Sequence, residues 1–138
     1  MRLIHANQPG LGAGQQSSEK ALTLMTPYHF SGDWQTYGQI YGPLVRDFNV
    51  IVRRGYNAAD VRCLTLDPDT PNLLPASDAL LIYAHGGSAH VTSVAGEQRI
   101  AQGDALVFEG GTSGVTLTGP ARTSGILVVL CALLPQVR

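Results

Sequence analysis

A single stretch, from Gly42 to Gly55, constrains the fold of this chain more than any other part of the sequence. It opens with a Gly-Pro turn and continues with alternating, largely β-branched residues, a pattern that predicts one extended strand. Its apolar face carries Phe48, Val50 and Val52. The opposite face carries Asp47, Asn49 and Arg53, so it is either exposed to water or its polar groups bind one another or a ligand, because unpaired polar groups are costly to bury.

The composition favours short strands over helices. The 138 residues include 16 glycines and 8 prolines, and 14% of them are charged. Because no long segment shows the 3.6-residue apolar period, we expect almost no helix. Residues 8–20 form a Gly/Gln/Ser stretch that predicts a loop, and residues 67–77 predict a connection. The apolar runs between turns predict strands at 34–41, 60–66, 79–84, 89–94, 98–100, 105–108, 115–118 and 126–133. This spacing is typical of an all-β barrel or jelly roll.

The charge balance gives no sign of a nucleic-acid or membrane partner. The net charge is −1, and the arginines at 46, 53, 54 and 62 are divided between the two faces of the predicted strands. The N-terminus has no apolar signal core, and the most apolar segment, 125–134, is too short to span a bilayer as a helix. We therefore expect a soluble cytoplasmic protein.

No set of residues predicts a metal, another cofactor or an activated nucleophile. The histidines are scattered, so we expect exposed histidines in turns: His5, His29, His85 and His90. No serine lies in a glycine elbow. Cys63 and Cys131 lie in apolar runs without a Cys-x-x-Cys spacing, which predicts two reduced, buried thiols.

Two sets of motifs resemble known proteins. The turns at Gly86-Gly87 and Gly96, followed by Gly103-Asp104 before an apolar strand, are similar to those of cupins. The more specific set is Pro27-Tyr28-His29-Phe30-Ser31-Gly32-Asp33-Trp34, then Gly42-Pro43, then Arg46-Asp47-Phe48-Asn49-Val50 and Arg53-Arg54. In order and spacing this set resembles the HutD/Ves family.

The resemblance implies a cupin-like jelly-roll barrel. Members of the family are bicupins, so residues 42–138 are expected to form the C-terminal barrel and residues 1–41 the remnant strands of the first, with one compact unit over 1–138 as the alternative. The Asn-Gly-Gly-Gly run of the first barrel has no counterpart here, so this chain is expected to lack the opening part of that barrel. Such a loss leaves unpaired strand edges, and we expect a homodimer through the edge near 1–7 or 21–25.

The candidate ligand-binding residues are Asp47, Asn49, Arg53 and Arg54. Arginine offers a planar fork to a carboxylate, and asparagine both donates and accepts. The alternative is a structural ion pair between Asp47 and Arg53, with Asn49 satisfying backbone groups.

The resemblance implies an accessory or regulatory role in bacterial histidine utilisation, without an enzymatic activity, through binding of a small carboxylate such as formylglutamate or urocanate. Two alternatives stay open. One is a cupin-type isomerase or hydrolase with Asp47 as base and Arg53 as electrostatic stabiliser; the other is a truncated form without activity.

Overall fold

The structure, a computed structural model, describes residues 1–6 and 17–135 and divides into two compact units, Met1–Asn49 and Val50–Arg138. None of the described residues lies in a helix, and accordingly none of them supplies a helix of the length and apolarity needed to cross a membrane. The expectation of an all-β chain is confirmed. The predicted loop at 8–20 falls partly outside the described residues, but its last four residues belong to a strand.

The first unit contains an antiparallel sheet of three strands. They are β1 (Arg2–Ala6), β2 (Ser17–Ala21) and β3 (Gln35–Gln39), in the order β2-β1-β3. Side chains of β1 alternate in burial, and its buried face carries Leu3 and His5. Because β1 is the central strand, the expected open edge near 1–7 is wrong for Arg2–Ala6; the outer strands of this sheet are β2 and β3.

The prediction of a strand over 42–55 is wrong. Residues 44–53 run without a turn or a bend, yet none of them belongs to a strand. Alternating β-branched residues favour an extended backbone, but a strand also needs a neighbouring backbone to complete its hydrogen-bond ladder. No strand of the described residues supplies that neighbour.

The second unit is a jelly roll of eight strands. They are β4 (Asn57–Leu66), β5 (Asn72–Leu73), β6 (Ser77–Ala84), β7 (Ala89–Ser93), β8 (Gly96–Ile100), β9 (Ala105–Thr112), β10 (Thr116–Thr118) and β11 (Thr123–Leu133). They form two antiparallel sheets with the orders β4-β11-β6-β9 and β5-β10-β7-β8. Consecutive strands alternate between the sheets except at the β7–β8 hairpin, which is the double Greek-key connectivity of cupins. The short β5 lies inside the predicted connection at 67–77.

The core of the jelly roll lies between its two sheets. Fully buried side chains from one sheet, among them Leu80, Ile82 and Ile126, pack against Val91 and Leu117 of the other. Burying such aliphatic side chains stabilises the fold by roughly 1.5–3 kcal/mol each. Among the described residues, the core cluster between the two sheets is therefore apolar.

Two glycine turns fix the corners of the jelly roll. The amides of His85 and Gly86 donate to the carbonyl of Gly125 at 3.0 and 3.2 Å, which ties the β6–β7 connection to β11. Gly103 adopts a φ of 94°, and the carboxylate of Asp104 accepts from the amide of Ala101 at 2.9 Å. The Gly-Asp pair is therefore a structural turn before β9, as the cupin resemblance implied.

Candidate functional site

The predicted polar residues Asp47 and Asn49 do come together in the first unit. The side-chain amide of Asn49 donates to Oδ2 of Asp47 at 2.8 Å, and both residues are exposed. Of the alternatives for this face of the segment, the structure shows exposure to water for both residues, and it also shows that they bind each other.

Arg53 and Arg54 follow in the second unit, and both are exposed. The guanidinium carbon of Arg53 lies 4.0 Å from the centre of the Tyr56 ring, a cation–π contact. The carbonyl of Arg53 accepts from the amides of Tyr56 and Asn57 at 3.2 and 3.1 Å, which forms the turn that begins β4. This turn and the Tyr56 ring hold the Arg53 side chain in a defined position.

A second polar cluster lies in the first unit, and the sequence analysis missed it. His5 is 1% exposed, so the prediction of an exposed turn histidine is wrong for this residue. Its ring is surrounded by the rings of Tyr28, Phe30 and Trp34, with centroids 5.7, 5.2 and 5.3 Å away. The signal that could have found it is the alternation in Arg2–Ala6, which places His5 on the same face as Leu3.

The hydrogen bonds of His5 define its tautomer. The hydroxyl of Thr36 donates to the carbonyl of Trp34 at 3.2 Å, so it accepts from Nδ1 of His5 at 2.9 Å. Nε2 then accepts from the hydroxyl of Tyr28 at 3.1 Å. Both ring nitrogens are thus occupied by protein groups, and His5 is a buried structural residue rather than a ligand-binding one.

Comparison with known families shows to which family this chain belongs. The profile of the HutD family matches residues 10–127 of the 138. The chain belongs to the HutD family. Comparison with curated proteins and with solved structures finds no match.

The HutD match covers all four predicted ligand-binding residues, from Asp47 to Arg54, and also Tyr28, Phe30 and Trp34 of the cluster around His5. His5 itself lies before the matched range. The motifs from Pro27 to Arg54 therefore fall within the part of the chain that matches the family profile.

One small cavity of this HutD protein lies in the jelly roll, among the residues that the structure describes. A cavity of about 40 Å³ opens beside the β7–β8 hairpin, where Val91, Leu106 and Phe108 provide apolar walls and Ser93 and Gln98 polar ones. Pockets that enclose a metabolite are roughly 300–1,000 Å³. This cavity is smaller than that and suits a water molecule or two.

The other reactive side chains stand apart from one another. In the described part of the chain, no three His, Cys, Asp or Glu residues group as a metal site requires. His29 and His90 are exposed, and His85 is half-buried beside the Tyr83 ring, at 6.2 Å between ring centres.

Cys63 and Cys131 are free and half-buried rather than fully buried. Burial raises the pKa of the Cys63 thiol above its ordinary value of 9.0, and a backbone hydrogen bond with Gly125 opposes that rise. Because the thiolate is the nucleophilic form, Cys63 lacks the activation that a catalytic cysteine shows.

Proposed function

We propose that this HutD protein is an accessory or regulatory protein that binds a small carboxylate through Asp47, Asn49, Arg53 and Arg54. A carboxylate is the proposed ligand class because the planar fork of arginine suits that group. Formylglutamate and urocanate are the acids that the family suggests. A place in bacterial histidine utilisation and a cytoplasmic location are parts of this proposal.

The contact between Arg53 and Tyr56 is the observation that carries the proposal. A cation–π contact occupies the flat face of a guanidinium, while its N–H groups point outward in the plane of the fork. Stacking on Tyr56 at 4.0 Å therefore orients the fork without occupying its donors. An arginine held in this way loses less side-chain entropy when it binds a carboxylate in the bidentate geometry.

Asp47 and Asn49 are the other two residues of the proposed binding site. Both are polar, and both are close in sequence to the two arginines. Asp47 lies seven positions before Arg54, so all four residues belong to one short stretch of the sequence. The side-chain amide of Asn49 donates one N–H to Asp47, and its second N–H is a donor that suits a ligand carboxylate. Asp47 carries a negative charge that repels a ligand carboxylate, which favours placement of that carboxylate against Arg53 and Arg54.

The test is calorimetric titration of the protein with formylglutamate and with urocanate, followed by chromatographic recovery of each acid. The proposal predicts saturable binding of at least one acid, which is recovered unchanged. Tyr56→Phe keeps the stacked ring and is expected to bind as the wild type does, whereas Tyr56→Leu is expected to bind several-fold more weakly. Absence of binding by both acids, or chemical conversion that Asp47→Asn abolishes, would overturn the proposal; the latter result would establish an enzyme.

A further inference from the structure

The segment 44–53 has the composition of a strand but no strand partner among the described residues. It runs without a turn or a bend, and β-branched residues fill its centre. Several of its apolar side chains are open to solvent, with Ile51 94%, Leu44 71% and Val52 42% exposed. Extended apolar segments of this kind are templates for pairing with another chain.

The charges in this segment are self-complementary. Asp47 and Arg53 lie at equal distances in sequence from Val50, on either side of it. If two copies of the segment run antiparallel about a two-fold axis at Val50, each Asp47 lies opposite the Arg53 of the other copy. Opposite charges in such positions stabilise a strand pair, whereas like charges destabilise it.

We propose that residues 47–53 pair antiparallel with the same residues of a second copy of this chain, forming a two-fold symmetric dimer. The cross-strand pairs are Asp47 with Arg53, Phe48 with Val52, Asn49 with Ile51, and Val50 with itself. This isologous contact closes after two chains, as a two-fold axis requires. It is an alternative to the interface expected near 1–7 or 21–25; at the first of these, β1 is already paired on both sides.

The flanking arginines limit the length and the register of the pair. One residue beyond Asp47 and Arg53, Arg46 would lie opposite Arg54, so the ladder ends there. A shift of one residue in either direction places Arg53 opposite Phe48 or opposite Arg46. Charged residues that flank an apolar segment in this way also oppose open-ended stacking of further copies.

The side-chain contacts of the single chain are compatible with this pairing. The hydrogen bond from Asn49 uses Oδ2 of Asp47, which leaves Oδ1 for the second copy. Arg53 presents the edge of its guanidinium while Tyr56 covers the face. The inference does not require a ligand, so its failure is distinguishable from failure of the proposed carboxylate binding.

Light scattering coupled to size exclusion, without ligand, tests the dimer by charge exchange. The wild type is expected at twice the chain mass of 14.6 kDa. Asp47→Arg and Arg53→Asp are each expected to be monomeric, and the double variant, with both changes, is expected to be dimeric again. Arg54→Asp is the matched control and is expected to remain dimeric, because it places an acid opposite Arg46. A wild type that stays monomeric at every concentration, or a dimer that neither single variant dissociates, overturns the proposal.

Cysteine cross-linking gives a readout that does not depend on charge. With Cys63 and Cys131 replaced by alanine, Val50→Cys brings two thiols onto the axis, where opposite Cβ atoms are about 5 Å apart and a disulfide can form. Val52→Cys is the control, since its two copies are separated by four positions, or about 13 Å along the strands. Cross-linking of the first variant and not of the second is expected; equal yields would contradict the proposed register.

Discussion

The side chain of Asn49 donates a hydrogen bond to Asp47 at 2.8 Å, although both residues lie on an exposed segment. Residues two apart in an extended chain point to the same side, so this contact follows from the local backbone. It orients the carboxylate before a ligand or a second chain arrives.

Because Asp47 and Asn49 are exposed, their replacement should affect binding more than stability. We expect Asn49→Ala to change the free energy of unfolding by no more than about 0.5 kcal/mol, the usual range for surface positions. Calorimetry should show several-fold weaker carboxylate binding by the same variant. A loss of several kcal/mol in urea unfolding would instead place the pair in a buried network.

His5 should be among the most sensitive positions of the first unit. His5→Ala empties a site that three aromatic rings surround, and we expect it to cost roughly 2–5 kcal/mol, as for other large buried side chains. Thr36→Val removes the acceptor for Nδ1 and should cost roughly 1–3 kcal/mol.

Trp34 fluorescence provides the measurement for these variants. Trp34 is the single tryptophan of the chain, and its ring lies edge-on to His5. Urea titration followed by this fluorescence should show a lower midpoint for His5→Ala and an unchanged midpoint for His29→Ala, whose side chain is exposed. Equal midpoints for the two variants would rule out a structural role for His5.

Gly86 should tolerate no side chain. A Cβ atom at this position would clash with the carbonyl oxygen of Ser124, which is backbone and part of β11. We expect Gly86→Ala to destabilise the jelly roll by about 1–3 kcal/mol, as overpacking does. Gly32→Ala is the control, since nothing lies within 4 Å of its Cβ position. Thermal unfolding followed by far-UV circular dichroism should separate the two; similar midpoints would contradict the close approach at Gly86.

Cys63 should react slowly with thiol reagents near neutral pH. Burial raises its pKa, so the thiolate forms at higher pH than in an unfolded chain. In a Cys131→Ala variant, the rate of reaction with a disulfide reagent should still be rising above pH 9, whereas the same variant unfolded in urea should level off earlier. Identical pH profiles for folded and unfolded protein would show that burial does not affect this thiol.

The sequence predicted the jelly roll well because its strands carry strong local signals. The runs at 79–84 and 89–94 alternate or remain apolar and end at glycine turns, and β6 and β7 lie at almost the same positions. The turn at Gly103-Asp104 could also be predicted, because glycine and aspartate are residue types that favour turns.

The errors arose where long-range pairing decides the structure. The segment 42–55 has the pattern of a strand, yet pattern cannot reveal whether a neighbouring backbone is present. The sequence does not reveal the surroundings of His5, because its partners, Tyr28 and Thr36, are 23 and 31 residues away in the chain. Only the pairing of β1 with β3 brings His5 and Thr36 together.

Carboxylate binding by Arg53 is the central claim, and comparative calorimetry of two arginine variants tests it most directly. Arg53 stacks on Tyr56, whereas Arg62, another exposed arginine of the same unit, pairs with Asp60 at 2.6 Å. In titrations with formylglutamate and urocanate, Arg53→Ala should bind at least tenfold more weakly than the wild type, and Arg62→Ala should bind as the wild type does. Equal affinities for the wild type and Arg53→Ala would contradict the account.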